Sequence, residues 1–502
     1  MTRKIPSTMI SQHPDHASKP YWLEEELIGT HNESKECFLS FSELGSSEYK
    51  WDWEGKLVDE SVVERLFMDH YDYFQKYQLG KEKFLTFRLP NPRVESEYRL
   101  GRAFMGLLSA AGLAKGVGLH TPPLFEAILP MTESAKEIIE IQEAFAEISS
   151  LKHRLNSSKN GSLKHVELIP LFEKVDTIIR SDEILNEYID IHKKKFGRQP
   201  DYIRPYIARS DPALNSGLIP TVLAIKMALS RYRRFESVKN IKLYPIIGSA
   251  SLPFRGGLTP ETIGNFTREY GGVRTALLQS AFRYDYDKDK VIKAIKELES
   301  ILPYTKAVEI SKVEETKLMK TISLLEKDYK ETVEEIATII NDIASKLPKR
   351  RERVQHIGLF GYSRGVGRVK LPRAIGFTGA LYSLGVPPEI IGTGRGLKKA
   401  EELTLLKYIE QHYLNLKQDL IKAGLYLNKD NLYKLSCSNP IWTGVMEDVK
   451  YIEQFLGKEL GPQNTDHVEH CKITGKIFKL LVAGKDFSQE LSQAAVLRKS
   501  IG

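Results

Sequence analysis

The chain has 502 residues, 41% of them hydrophobic, enough for two or three ordinary domains or for one large barrel with additions. Three widely spaced cysteines, Cys37, Cys437 and Cys471, argue against a disulfide framework and fit a reducing cytoplasm. The opening MTRKIPSTMISQHPDH lacks a signal peptide's apolar core, and no run is long enough to span a membrane. The net charge of +8 is modest for this length. Its basic clusters, RYRRF and KRRER, lie in or beside helical segments rich in opposite charge, so they read as solvated faces rather than a nucleic-acid footprint. A positive field also favours small anionic substrates.

In chain order, a first strand runs Ser7 to Ile10 and leads into SQHPDH, where Pro14 prevents helical continuation and leaves His13 at the strand end. Cys37 to Phe41 reads as a second strand. It precedes YKWDWEGK, in which Trp51 and Trp53 read as packing against a barrel mouth, while Asp52 and Glu54 carry no assigned role. Phe84 to Arg88 alternates as a strand and runs into LPNPRVES, a proline-punctuated loop containing Arg93. A fourth strand lies near Leu129, where a first PLFE ends on Glu126.

Val166 to Phe172 is an apolar run broken by Glu167 and Pro170 that ends on Glu173. Tyr206-Ile207-Ala208 ends in the same way on Arg209-Ser210-Asp211. Glu173 and Asp211 admit two readings: a helix N-terminal charge and an N-cap, or two ligands of one divalent cation. Hard oxygen ligands with few protein donors suit Mg²⁺ or Mn²⁺. A helix from Ile219 to Arg231 feeds a strand from Leu243 to Ile247 and then GSASLPFRGGL, where Gly256-Gly257 after Arg255 allow backbone to approach a ligand closely.

About 291–353 the chain is charge-laced and helical, an insertion or oligomer face without chemistry. Ile357 to Phe360 reads as a strand, followed by GYSRGVGRVKLPRAIGF. Its glycines, with Arg364 and Arg368, form a basic loop fit for an anion. About 398–502 is mostly helical, and HVEHC at His467 to Cys471 reads as a helix face rather than a zinc site. The strand candidates near Ile10, Phe41, Phe87, Leu129, Phe172, Ala208, Ile247 and Phe360 number eight, most followed by helix. They predict a single large (β/α)8 barrel with extensive additional helices and its functional groups at the strands' carboxyl ends. His13, Arg93, Glu173, Asp211, Arg255 and Arg364 all lie at or just past such ends.

PLFE followed after a helix by SDPALNSG resembles the metal-binding elements of phosphoenolpyruvate carboxylases, and most of the chain looks like the short archaeal-type form of that family. SQHPDH is similar to the family's TAHPTE, which makes His13 the catalytic histidine. RVES resembles R-Q-E-S, matching Arg93 to an arginine that holds the substrate phosphate. PFRGG resembles FHGRGG, which gives Arg255 a second phosphate contact and a catalytic role. SR, a loop and LPRAI resemble SRP…LRAIPW; where the family has an arginine in TQNR this chain reads ALYSLG, so Arg364 or Arg368 supplies that charge. LRKSIG takes the place of the closing MRNTG. The resemblance implies anaplerotic, Mg²⁺- or Mn²⁺-dependent carboxylation of phosphoenolpyruvate by bicarbonate, giving oxaloacetate and phosphate, in a cytoplasmic homotetramer without nucleic-acid or membrane partners. The rivals are another metal-dependent phosphoenolpyruvate or pyruvate barrel enzyme, a mutase or lyase, and a basic nucleic-acid-binding protein.

Overall fold

The computed structural model describes residues 4–502 apart from 56, 96, 151–162 and 353–368. Its strands are β1 Thr8–Ser11, β2 Glu48–Asp52, β3 Phe84–Arg88, β4 Glu126–Leu129, β5 Glu167–Phe172, β6 Tyr202–Ile203, β7 Tyr206–Ile207, β8 Lys242–Leu243, β9 Ile246–Gly248 and β10 Thr275–Leu278. Eight of them, β1, β2, β3, β4, β5, β7, β9 and β10, close into a parallel barrel, while β6 and β8 pair separately. The expected (β/α)8 architecture is therefore the one observed, with many more helices than eight around it.

One of the expected strands differs, and another falls outside the described residues. Cys37 to Phe41 lies inside the helix Glu33–Ser42, whose first turn carries Glu33 and Glu36, favourable at a positive helix N-terminus. The second barrel strand is β2, within the tryptophan block itself. The strand expected at Ile357 to Phe360 lies outside the described residues, and β10 closes the barrel against β1, with Thr8 beside Ala276.

Alternation along β2 explains the correction. Tyr49 and Trp51 point outward into the layer between barrel and helices, and Trp53 stacks on Phe87 with ring centroids 3.8 Å apart. Glu48, Lys50 and Asp52 therefore point inward, because successive side chains leave a strand on opposite faces. The tryptophans belong to the strand–helix layer, not to the barrel mouth.

The barrel interior is layered. At the amino ends Arg204 is clamped by Glu48 at 2.6 Å and Glu126 at 2.8 Å, with Thr86 donating to Glu48 at 2.6 Å. Above this floor lies an apolar layer that includes Met9, Ile128, Ile169, Tyr206, Ile246 and Leu277. The carboxyl ends above it open into a cavity.

Of the arginines of RYRRF, Arg233 is exposed as expected, while Arg231 and Arg234 both pair with Glu315, tying helix Leu218–Lys239 to helix Lys312–Glu335. Among the described residues no helix is long and apolar enough to cross a membrane.

Candidate active site

A cavity of about 620 Å³ sits over the carboxyl ends of the barrel strands. That volume lies in the range of small-ligand sites. Its wall brings together His13, Lys50, Arg88, Glu173, Asp211 and Arg255 from six separate strand ends, and Ile501 reaches it from the far end of the chain.

His13 follows β1, and its Nδ1 lies 2.9 Å from Ser11 Oγ while its backbone carbonyl accepts from Ser280 Oγ at 2.6 Å. Burial, reinforced by the nearby positive charges of Lys50, Arg88 and Arg255 and opposed by Asp52, holds its proton affinity well below the ordinary histidine value. The imidazole is thus neutral at neutral pH and able to accept a proton.

From β2 and β3 come two cations and two carboxylates that are buried together. Lys50 Nζ lies 3.1 Å from Asp52 Oδ1, Arg88 Nε lies 2.8 Å from the same oxygen, and Arg88 Nη1 lies 2.5 Å from Glu54. Burial and the neighbouring Arg88 push Lys50 down to about 8 against the pull of Asp52 and Glu54. Burial also opposes the charge on Arg88, yet Asp52, Glu54 and Glu173 raise its proton affinity overall.

Glu173 and Asp211 stand at the ends of β5 and β7. Neither is an N-cap: Lys174 caps the helix after Glu173, and Arg209 caps helix Ser210–Ser216, leaving Asp211 in its first turn. Glu173 accepts a backbone hydrogen bond from Met131 at 2.6 Å. Arg209 lies buried beside them and donates to the Phe254 carbonyl at 2.9 Å, which fixes the turn carrying Arg255. Among the described residues no group of three or more His, Cys, Asp or Glu could hold a metal. Two carboxylates on an open cavity fit a hard divalent cation that keeps most of its waters, which is the habit of Mg²⁺.

Arg255 is almost fully engaged by the protein. Its Nε donates to Ser210 at 3.1 Å, one terminal nitrogen reaches Asp15 at 3.4 Å and the Gly502 carbonyl, and the other donates to Gln279 at 2.6 Å. A guanidinium has five N–H bonds, so these contacts leave one for a ligand. Gly256 follows with a φ of 119°, a conformation glycine adopts freely.

Of the residues expected to act, His13, Glu173, Asp211 and Arg255 line the cavity together. Arg93 does not line it. Its guanidinium pairs with Glu133 at 2.8 Å and Glu137 at 3.1 Å, carboxylates on the segment that follows β4. Arg364 and Arg368 lie outside the described residues. Leu347 to Glu352, in the region read as lacking chemistry, form part of the wall. Sequence reasoning missed Lys50 and Arg88. The signal was present as period-two alternation in YKWDW and FLTFR, once β2 is placed on the first of them.

A family model described as phosphoenolpyruvate carboxylase matches residues 5–502. A phosphoenolpyruvate carboxylase of Oenococcus oeni is 40% identical over 95% of both chains. Those of Metallosphaera sedula and Methanothermobacter thermautotrophicus are 37% and 38% identical over 100% and 99% of this chain and 100% of each relative. Among solved structures, RipC from Yersinia pestis covers 58% of the chain at 13% identity with a TM-score of 0.29, which carries no argument. On the extent and identity of the sequence matches, the chain belongs to the phosphoenolpyruvate carboxylase family.

Proposed function

We propose that this protein carboxylates phosphoenolpyruvate with bicarbonate, giving oxaloacetate and inorganic phosphate, as an anaplerotic enzyme of the cytoplasm. Family membership supports the reaction. The observation that carries the reading to this chain's own residues is the convergence of a neutral His13, two carboxylates and buried cations on one cavity.

Glu173 and Asp211 are the residues that would hold a Mg²⁺ or Mn²⁺ ion. When bound there, such an ion supplies Lewis-acid polarisation of substrate oxygens. Arg255 would offer its remaining N–H to the phosphoryl group, and its other donors hold Asp15, Ser210, Gln279 and the Gly502 carbonyl in register around the site. Arg364 or Arg368 would add the further phosphate contact that charge spreading over three oxygens calls for. Arg93 pairs with Glu133 and Glu137 and would have to leave those carboxylates to reach the phosphoryl group.

Bicarbonate attack on phosphorus forms carboxyphosphate and the enolate of pyruvate. The His13 imidazole then takes the carboxyphosphate hydroxyl proton as the C–O bond to phosphate breaks, which leaves carbon dioxide beside the enolate. Attack of the enolate carbon on carbon dioxide gives oxaloacetate. The walls must exclude water during that interval, since protonation of the enolate would yield pyruvate instead.

The test is a coupled oxaloacetate assay with and without bicarbonate and Mg²⁺. Turnover that needs both is expected; phosphoenolpyruvate consumption independent of bicarbonate would point to a mutase or lyase and contradict the reading. A homotetramer belongs to the same proposal, and sedimentation of the purified protein checks it.

A further inference from the structure

The corner of the cavity built by β1, β2 and β3 contains donors that the mechanism above leaves unused. Strand register puts Lys50 beside Ser11 of β1 and Asp52 beside Arg88 of β3. Ser11 Oγ lies 2.9 Å from His13 Nδ1, so Lys50, His13 and Arg88 surround one corner, and all three line the cavity. Asp52 at 3.1 Å takes at most one of the three N–H bonds of the Lys50 ammonium. Arg88 directs Nε to Asp52 and Nη1 to Glu54, and its Nη2 finds no hydrogen-bond partner among the described residues, although the residue is only 4% exposed. Leaving charged donors unsatisfied in a buried wall is costly, which argues that a ligand completes them.

We propose that Lys50 Nζ and Arg88 Nη2 form the bicarbonate subsite. The proposal rests on the carboxylation reading and names where its second substrate sits. Two arguments select bicarbonate over the phosphoryl group. The first is charge: Lys50, Arg88 and Arg373 face Asp52 and Glu54, so the corner carries a single formal positive charge. Such a corner suits a monoanion, and the neutral carbon dioxide that follows it, better than a phosphate dianion.

The second is adjacency. The proton that His13 accepts belongs to the bicarbonate-derived group, so the anchors of that group must border His13, and Lys50 does so through Ser11. A planar bicarbonate with one oxygen on Lys50 and another on Arg88 turns its hydroxyl toward the imidazole. Although burial and Arg88 bring Lys50 down to about 8, it remains charged at neutral pH.

Steady-state kinetics of Lys50→Met, with bicarbonate and phosphoenolpyruvate varied separately, test this. Methionine keeps the length and apolar stem while Asp52 stays paired with Arg88. Loss of one charge-assisted contact should raise the KM for bicarbonate roughly tenfold or more, with the KM for phosphoenolpyruvate changed less than about twofold. Equal rises in both, or a rise for phosphoenolpyruvate alone, would overturn the subsite. Independently of any variant, nitrate, a planar monoanion, should inhibit the wild-type enzyme competitively with bicarbonate and not with phosphoenolpyruvate. Competition with phosphoenolpyruvate alone, or no inhibition at concentrations that saturate with bicarbonate, would also overturn it, even if Lys50→Met fails to fold. Wild-type enzyme without any bicarbonate-dependent turnover would instead remove the carboxylation reading on which the subsite depends.

Discussion

Glu173 and Asp211 meet at the cavity because β5 and β7 are hydrogen-bonded neighbours, with Phe172 beside Ile207. A proposed metal site with two protein ligands has little redundancy. Partners that merely orient a ligand are commonly worth 10–100-fold, so losing a ligand itself should cost at least about 100-fold. Asp211→Asn and Glu173→Gln should each abolish turnover at limiting Mg²⁺ while melting as the wild type does, and near-normal rates at limiting Mg²⁺ would take that residue out of the metal site. Arg255 invites a second substitution. Its contacts go to groups on four different segments, and an ammonium cannot reach them in the planar spread of a guanidinium. Arg255→Lys should therefore lose most of its activity although the charge is kept. An unchanged rate and an unchanged KM for phosphoenolpyruvate would show that neither the fork nor its remaining N–H matters.

The strands whose apolar runs end in a turn or a proline were legible from sequence: β1, β3, β4, β5, β7 and β9 all lie close to where pattern alone puts them. β10 was missed although it is an ordinary apolar run, whereas β2 was hidden for a physical reason. The inward face of β2 carries Glu48, Lys50 and Asp52, charges that a reader assigns to solvent, because a barrel interior polar at both ends reverses the usual sign of alternation. The same reversal hid Arg88 at the end of β3. His13, Glu173, Asp211 and Arg255 could be found through resemblance to motifs, whereas Lys50 and Arg88 needed the register between strands. The floor at the amino ends gives this pattern a testable consequence. Breaking a buried pair leaves an uncompensated charge, at a cost of roughly 3–5 kcal/mol. Glu48→Gln should thus lower the thermal midpoint by several degrees, while the KM values of the folded enzyme stay near wild type, since the floor lies an apolar layer away from the cavity. An unchanged midpoint would mean that Arg204 is held well enough by Glu126 alone.

Across the whole molecule the end of the chain returns to its beginning. The Ile501 amide donates to the Asp15 carbonyl at 2.7 Å, and the Gly502 carbonyl accepts from Arg255. Gly502 sits against helix Ala374–Leu384 so closely that an added Cβ would run into the Ile375 carbonyl oxygen and the Gly379 amide. Gly502→Ala should consequently displace the contact to Arg255 and lower kcat well before it alters global stability; a variant with wild-type kcat would show that the tail does not support the site. In the proposed mechanism His13 acts after phosphoryl transfer. His13→Asn leaves the carboxylates and arginines in place, so bicarbonate should still attack phosphorus, but carboxyphosphate would no longer be guided to carbon dioxide beside the enolate. The direct measurement is the ratio of oxaloacetate to phosphate released by the purified, folded variant in saturating bicarbonate. Phosphate release accompanied by pyruvate is expected, with a ratio far below that of wild type. A ratio equal to wild type would contradict the mechanism.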